Sequence, residues 1–151
     1  VSKSMIGQIE KGNSTPTVTT LWKICNGLKI SFSTLLEEHD DEAVVVTKES
    51  LPSLSDNGVV DLHNYIPFNV HRKFEAFRMA LTGKAVHKSE PHIDALEEFV
   101  FVTDGEVDVW VNNERHRLKK DSLLRFNAGM DHRYENCGDG EACMLIIIVY
   151  Q

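Results

Sequence analysis

From Val59 to Gln151 the chain alternates between apolar and other side chains with a period of two. That period commits this stretch to β-structure. Phe77, Met79 and Leu81 are separated by Arg78 and Ala80, and Val107, Val109 and Val111 by Asp108 and Trp110. Residues two apart on a strand share a face, so each run presents one apolar face to a core. Asn112-Asn113 stands between the second run and Arg115 to Leu118, the kind of pair a tight hairpin uses. Phe99 to Val102 and Met144 to Tyr150 are apolar at both parities, as strands covered on both faces are. Many short strands without a helical period between them predict a sandwich or barrel. The run Met144 to Tyr150 is the longest apolar one and is too short to cross a bilayer.

Before residue 39 the period changes. Ser2 predicts a helix cap, with Met5, Ile6 and Ile9 spaced behind it. Gly12-Asn13 closes that helix. Thr15-Pro16 is an extended bridge, because the residue before proline avoids the α region. Thr17 caps a second helix from about Val18, whose stripe is Leu21, Ile24, Cys25 and Leu28. Ser31 caps a third carrying Phe32, Leu35 and Leu36. The acidic stretch Glu37 to Glu42 is the expected boundary. Val44 to Thr47 is an expected first strand, and Leu51 to Asn57 an expected loop. The resulting domains are residues 1–38, a linker over 39–58 and a β-domain over 59–151.

Charge divides at the same place. Residues 1–36 carry four lysines and one glutamate, a local +3, and the rest carries the −10 that brings the chain to its net −7. A basic head on an acidic body suits a polyanionic partner for the head, although charge alone fits a chance cluster of four lysines better. Cys25, Cys137 and Cys143 lack the CxxC spacing and do not form a disulfide framework, which places the chain in a reducing, cytoplasmic setting.

Ile9-Glu10-Lys11-Gly12, Pro16, the Leu21, Ile24 and Leu28 stripe and the closing Leu35-Leu36 occur in an order that resembles the last three helices of a phage-repressor-type (XRE) helix-turn-helix domain. The resemblance implies that Ser2 to Lys11 is the recognition helix, its first residues facing base edges in the major groove of a double-stranded operator. Ser2, Lys3, Ser4 and Gln8 are then placed on DNA, with hydroxyls and lysine suited to phosphate and Gln8 to an adenine edge. Asn13, Ser14 and Thr17 fall where the following loop meets phosphate. Family domains have two further helices ahead of the position of Val1, so the resemblance implies a protein that begins upstream.

The stretches His92 to Glu98 followed by Gly105-Glu106, and Asp121 to His132 followed by Asn136, resemble the two motifs of a cupin, a double-stranded β-helix or jelly-roll barrel. The fold class that both resemblances imply is α+β multidomain, a helical segment followed by an all-β barrel. Cupins arrange histidines and a glutamate around a metal. Here the matching positions are His92, Glu98 and His132, with His92 one residue further from Glu98 than the usual pattern. Glu90 stands at the first histidine position, Asp121 at a glycine and Asn127 at a proline. Glu97, Glu90 and His87 are further candidate ligands, and parity sends Glu97 and Glu98 to opposite faces. Two imidazoles and a carboxylate suit Zn²⁺ best, and also Ni²⁺, Mn²⁺ or Fe²⁺. In the alternative reading, His92 and His132 are hydrogen-bonded pocket residues without a metal. Arg78, Arg125 and Tyr134 flank the motifs as candidate effector contacts, an arginine there suiting a carboxylate. His39, His63, His71 and His116 read as surface or strand-end residues.

A DNA-reading head followed by such a barrel resembles bacterial one-component regulators with a cupin sensor. The implied function is transcription regulation by a homodimer whose barrel binds a small effector, an amino acid or other small carboxylate. Two alternatives are a metal-dependent cupin enzyme of the dioxygenase or isomerase class and a barrel that only dimerises the heads. No additional catalytic base is evident, so no catalytic residue is assigned.

Overall fold

The alternating runs fold as antiparallel strands in two sheets, in a computed structural model that describes residues 1–32, 35, 43–56 and 58–151. The chain divides into two compact units, Val1–Val44 and Val45–Gln151.

In the first unit, helix α1 spans Lys3–Glu10 and α2 spans Val18–Leu28. Ser2 caps α1 by accepting the N–H of Met5 at 3.3 Å, and Thr17 caps α2 by accepting that of Thr20 at 3.2 Å. Gly12, at φ +69°, ends α1 with bonds from its own N–H to Ile9 and from Asn13 N–H to Gln8. Helix α2 ends on Lys29 in the left-handed region, at φ +58°, so Gly27 lies inside its last turn. Ile6, Ile9, Leu21 and Ile24 line a cleft of about 550 Å³, and Trp22 stacks on Phe32 at 4.8 Å. The N–H of Leu35 reaches the carbonyl of Ser31 at 3.2 Å, a turn of the expected third helix. Leu36, the acidic stretch Glu37 to Glu42 with His39, and Asn57 lie outside the described residues.

The second unit starts earlier than the alternation does. Val44 to Thr47 forms no strand; Val44 and Val45 are exposed, and consecutive valines give no single face to bury. A 3₁₀ turn follows at Lys48–Ser50. Strand β1 (Leu54–Asp56) then pairs with β2 (Val60–Ile66) inside the stretch expected to be loop. Three residues are too few to display a period, and an edge strand needs only its backbone bonds. The remaining strands are β3 (Phe74–Thr82), β4 (Val86–Ser89), β5 (Ala95–Asp104), β6 (Glu106–Val111), β7 (Glu114–Lys119), β8 (Leu123–Asn127), β9 (His132–Asn136) and β10 (Glu141–Tyr150). One sheet has the order β1-β2-β3-β10-β5-β8 and the other β4-β9-β6-β7. Asn112 and Asn113 both have positive φ, as the tight β6–β7 hairpin requires.

The inner faces carry Leu81, Val100, Val102, Val107, Val109 and Met144, all buried. On the outer face of the larger sheet Phe99, Phe101, Leu145 and Ile147 are half-buried. That explains why both parities of β5 and β10 are apolar. His63 is 3% exposed rather than a surface residue; its Nε2 lies 3.0 Å from Asp61 on the outer face of β2.

On the outer face of the smaller sheet, Asp108 is held by Nε and Nη2 of Arg117, each at 2.9 Å, and by Arg115 at 2.9 Å. The Arg117 hydrogen bonds lower its carboxyl pKa from 3.8 to about 2. A depressed carboxylate pKa contributes stability above the unfolded value, and that stability is lost as pH falls through the folded one. The arginines are half-exposed, so solvent screens part of the effect. Asp108→Asn is therefore expected to cost about 1–2 kcal/mol at pH 7. In urea unfolding the gap to wild type should close between pH about 4 and about 2; a gap independent of pH would place the loss in packing.

Candidate metal centre and nucleic-acid surface

Three elements converge at one end of the barrel. Strand β5 turns Glu98 inward and Glu97 outward, where Glu97 pairs with Arg125 at 3.5 Å. Strand β9 turns His132, Tyr134 and Asn136 inward. His92 comes from the β4–β5 loop. Its N–H bonds to the carbonyl of Ala128, and its carbonyl closes a tight turn by accepting the N–H of Ala95. Asp94 takes φ +62° in that turn, where the extra residue of the His92 to Glu98 spacing falls.

His92 Nε2 lies 3.2 Å from Glu98 Oε2, and His132 Nε2 lies 3.3 Å from the same oxygen. The three ligand atoms all fall within 4.8 Å of one another. Ligands about 2.0–2.1 Å from a tetrahedral zinc stand about 3.3 Å apart, so the two short edges suit one ion. Glu98 is fully buried and His132 nearly so.

The protonation pattern makes the same demand. His132 Nδ1 sits 2.8 Å from the carbonyl oxygen of Met130. A carbonyl only accepts, so Nδ1 carries a proton, and Nε2 is the ring nitrogen turned toward Glu98. Glu98 Oε2 and His132 Nε2 are both buried with no hydrogen bond between them, and His92 Nε2 approaches the same oxygen at 3.2 Å. A carboxylate oxygen and an imidazole nitrogen facing each other in a dry site call for a cation between them, a metal ion or a proton. The hydrogen bond to Glu98 raises the pKa of His92, the response of an imidazole to that same negative field. The donor set therefore fits a divalent metal.

The opposite oxygen of Glu98 accepts the hydroxyl of Tyr134. Burial above all, and then the Glu98 charge, hold the Tyr134 phenol well above its ordinary pKa, so it remains a donor and fixes the carboxylate. Asn136 clamps the end of β9, donating to the carbonyls of Leu81 and Gly140 at 2.8 and 2.7 Å. Asp121 sits at φ +64°, which explains why a glycine suits that position. Asn127 accepts the N–H of Gly129 at 2.9 Å and so builds by hydrogen bond the turn that a proline would build by ring closure.

Beside these ligands is a cavity of about 120 Å³. Its apolar wall is Leu62, Phe77, Met79, Ile146 and Ile148, and its polar groups are Glu75, His87, Ser89, His92, Glu98 and Tyr134. Of the further ligands, His87 lines this cavity, its ring 6.2 Å from that of Tyr134. Glu90 is exposed and Glu97 faces outward; neither joins the cluster. Of the three effector contacts, only Tyr134 is inside. Arg78 alternates with the inward Phe77 and Met79, so it points to the outer face, 3.7 Å from Asp61 and 3.1 Å from Cys143. Arg125 is exposed beside Glu97. Glu75 was legible as inward from the parity of Phe77, Met79 and Leu81, although its charge hid it among polar positions.

In the first unit Ser2, Lys3, Ser4, Gln8, Asn13, Ser14 and Thr17 are all exposed. Ser2, Ser4, Gln8, Ser14 and Thr17 line one groove formed by α1 and the start of α2. Lys3 and Asn13 lie outside that lining.

A helix-turn-helix family model matches residues 1–35 and a cupin domain model matches residues 69–149. The chain belongs to the cupin-domain family and, through its head, to the XRE-type helix-turn-helix transcriptional regulators that carry such a domain. It is 35% identical over 141 residues to the HTH-type transcriptional regulator SutR of Escherichia coli, covering 92% of this chain and 75% of that one. An HTH_3 family transcriptional regulator from Vibrio cholerae, a crystal structure, is 30% identical with a TM-score of 0.61, over 100% of this chain and 82% of its own. The Cupin_2 domain of an XRE family regulator from Enterobacter cloacae is 26% identical with a TM-score of 0.59, over 62% of this chain and 98% of that domain. No helix among the described residues is long and apolar enough to cross a membrane.

Proposed function

We propose that the barrel is the sensor of a cytoplasmic, non-enzymatic transcription regulator. In this reading it binds a small effector beside a divalent metal, zinc first, held by His92, Glu98 and His132. The observation that carries the reading is the buried pair Glu98 Oε2 and His132 Nε2, 3.3 Å apart with no hydrogen bond between them, with His92 Nε2 3.2 Å from the same oxygen. A barrel that only dimerised the heads would gain nothing from such a costly pair. The metal would supply an open coordination position for an anionic group. This matters for an amino acid or other small carboxylate, because no lysine or arginine among the described residues lines the cavity. The chain's own residues orient the site: Tyr134 holds the carboxylate, the Met130 carbonyl orients the His132 ring, and apolar side chains form one wall of the cavity.

The exposed groove on α1 is the DNA-reading surface of this proposal, used in pairs by a homodimer. The half-buried apolar strip of Phe99, Phe101, Leu145 and Ile147 supports that association. Sedimentation at micromolar concentration should give a dimer, and a monomer would remove this part of the reading.

Selection of binding sites from a random duplex pool tests the head. Lys3→Ala should weaken binding on all sequences and reduce the salt slope by about one. Gln8→Ala should relax preference at one base position, by about 1–3 kcal/mol. Unchanged binding in both variants would overturn the assignment of α1 as the recognition helix.

A further inference from the structure

The inner face of the larger sheet places two carboxylates in one cross-strand row. Glu98 on β5 is opposite Ile148 on β10, and Ile148 is opposite Glu75 on β3. Adjacent strands lie about 4.8 Å apart, so Glu75 and Glu98 stand about 10 Å apart, two strands away with Ile148 between them. Both line the cavity. Glu98 is committed to the histidines and Tyr134, whereas Glu75 belongs to no such cluster among the described residues.

Glu75 is nevertheless held in place. One of its oxygens accepts the hydroxyl of Tyr150, the end residue of β10, whose ring packs edge-on against Phe68 at 5.0 Å. Burial, followed by the Glu75 carboxylate, raises the pKa of that phenol, which keeps it a donor. Glu75 makes no ion pair among the described residues, and neither lysine nor arginine lines the cavity. The Glu75 charge reaches His92 across the cavity without forming an ion pair with it, so this carboxylate, fixed by a neutral donor at the edge of an apolar wall, is open to a cation.

We infer that Glu75 selects for an ammonium group on the small molecule the barrel takes up. The inference rests on the reading of the barrel as an effector site. The ligand class is a compact primary amine with an apolar body, because the cavity volume is near the 150 Å³ or so of a dry cavity that accepts benzene. In a ligand that also carries a carboxylate, the ammonium takes the Glu75 end of the row, and the carboxylate would depend on a metal at His92, Glu98 and His132 to offset the charge of Glu98.

Three probes of one shape test this at pH 7 on the purified chain: n-butylammonium, n-butanol and butyrate, titrated with detection by NMR. Butylammonium should bind at least about tenfold tighter than butanol, the value of one charge-assisted hydrogen bond, with butyrate weakest at the Glu75 end. Glu75→Gln keeps the shape and the acceptor for Tyr150, and should bring amine and alcohol within about threefold. Glu75→Asp should retain the preference for the amine. Equal binding of amine and alcohol by the wild type, or a preference that survives in Glu75→Gln, would overturn the inference. Should Glu75→Gln fail to fold, Glu75→Leu takes its place with the same expected loss of amine preference, and the wild-type comparison still tests the preference itself. Binding of butanol or butyrate without amine preference, with shifts at Tyr134 and Ile148, overturns the ammonium claim and leaves the effector cavity standing. Binding by none of the three overturns both.

Discussion

Glu98→Gln is expected to lower the affinity of the barrel for Zn²⁺ by at least about a hundredfold, beyond what the loss of a residue behind a ligand costs. The substitution changes little else. Its oxygen still accepts the hydroxyl of Tyr134. Its amide nitrogen faces His92 and His132, whose Nε2 atoms lie 3.2 and 3.3 Å from the carboxylate oxygen it replaces. An amide nitrogen can donate to a ring nitrogen at that distance, and removing the buried charge lowers the cost of burial, so the metal-free barrel should be no less stable than wild type. Zinc competition against a chelator, with urea unfolding alongside, reads both effects. Unchanged zinc affinity in a folded variant would move the metal away from this cluster.

Gly105→Ala is expected to destabilise the barrel by about 3 kcal/mol, lowering its melting temperature by about 10 °C or more. Gly105 joins β5 to β6 at φ +76°, where an L-residue is strained. A Cβ there would stand 2.9 Å from the Cβ and 3.0 Å from the Cα of Ala142 on β10. Neither atom can move without moving the strand at the centre of the larger sheet. Gly83 offers the control: it has φ +61° with nothing within 4 Å of an added Cβ. Gly83→Ala should therefore cost only the backbone strain, about 1 kcal/mol. Equal costs at the two positions would show that the close approach to Ala142 contributes nothing.

The barrel was legible wherever a strand was long enough to show its period. The parity of Phe77, Met79 and Leu81 carries inward, and the Asn112-Asn113 turn has the two positive φ values its hairpin requires. Strand β1 was hidden because Leu54–Asp56 is too short for alternation, and the Val44 to Thr47 strand failed because consecutive valines define no face. Parity also separated Glu98 from Glu97. The same rule, applied to Arg78, places it with Ala76 and Ala80 on the outer face, which flanking a motif in sequence does not reveal. Other features of the site depend on partners distant in sequence. Tyr134 meets Glu98 across the two sheets, and Tyr150 meets Glu75 across neighbouring strands. No local spacing encodes either contact. His63 read as surface because nothing local to β2 announces that the outer face of this sheet is partly covered.

The most direct measurement is the metal content of the purified chain by elemental analysis, with His132→Ala in parallel. The reading of the barrel as a metal-assisted sensor predicts close to one divalent ion per chain in wild type and background in the variant, with both proteins folded. No metal in either folded protein would contradict it. The facing atoms of Glu98 and His132 would then be held together by a proton, and the cavity would answer to an organic ligand alone.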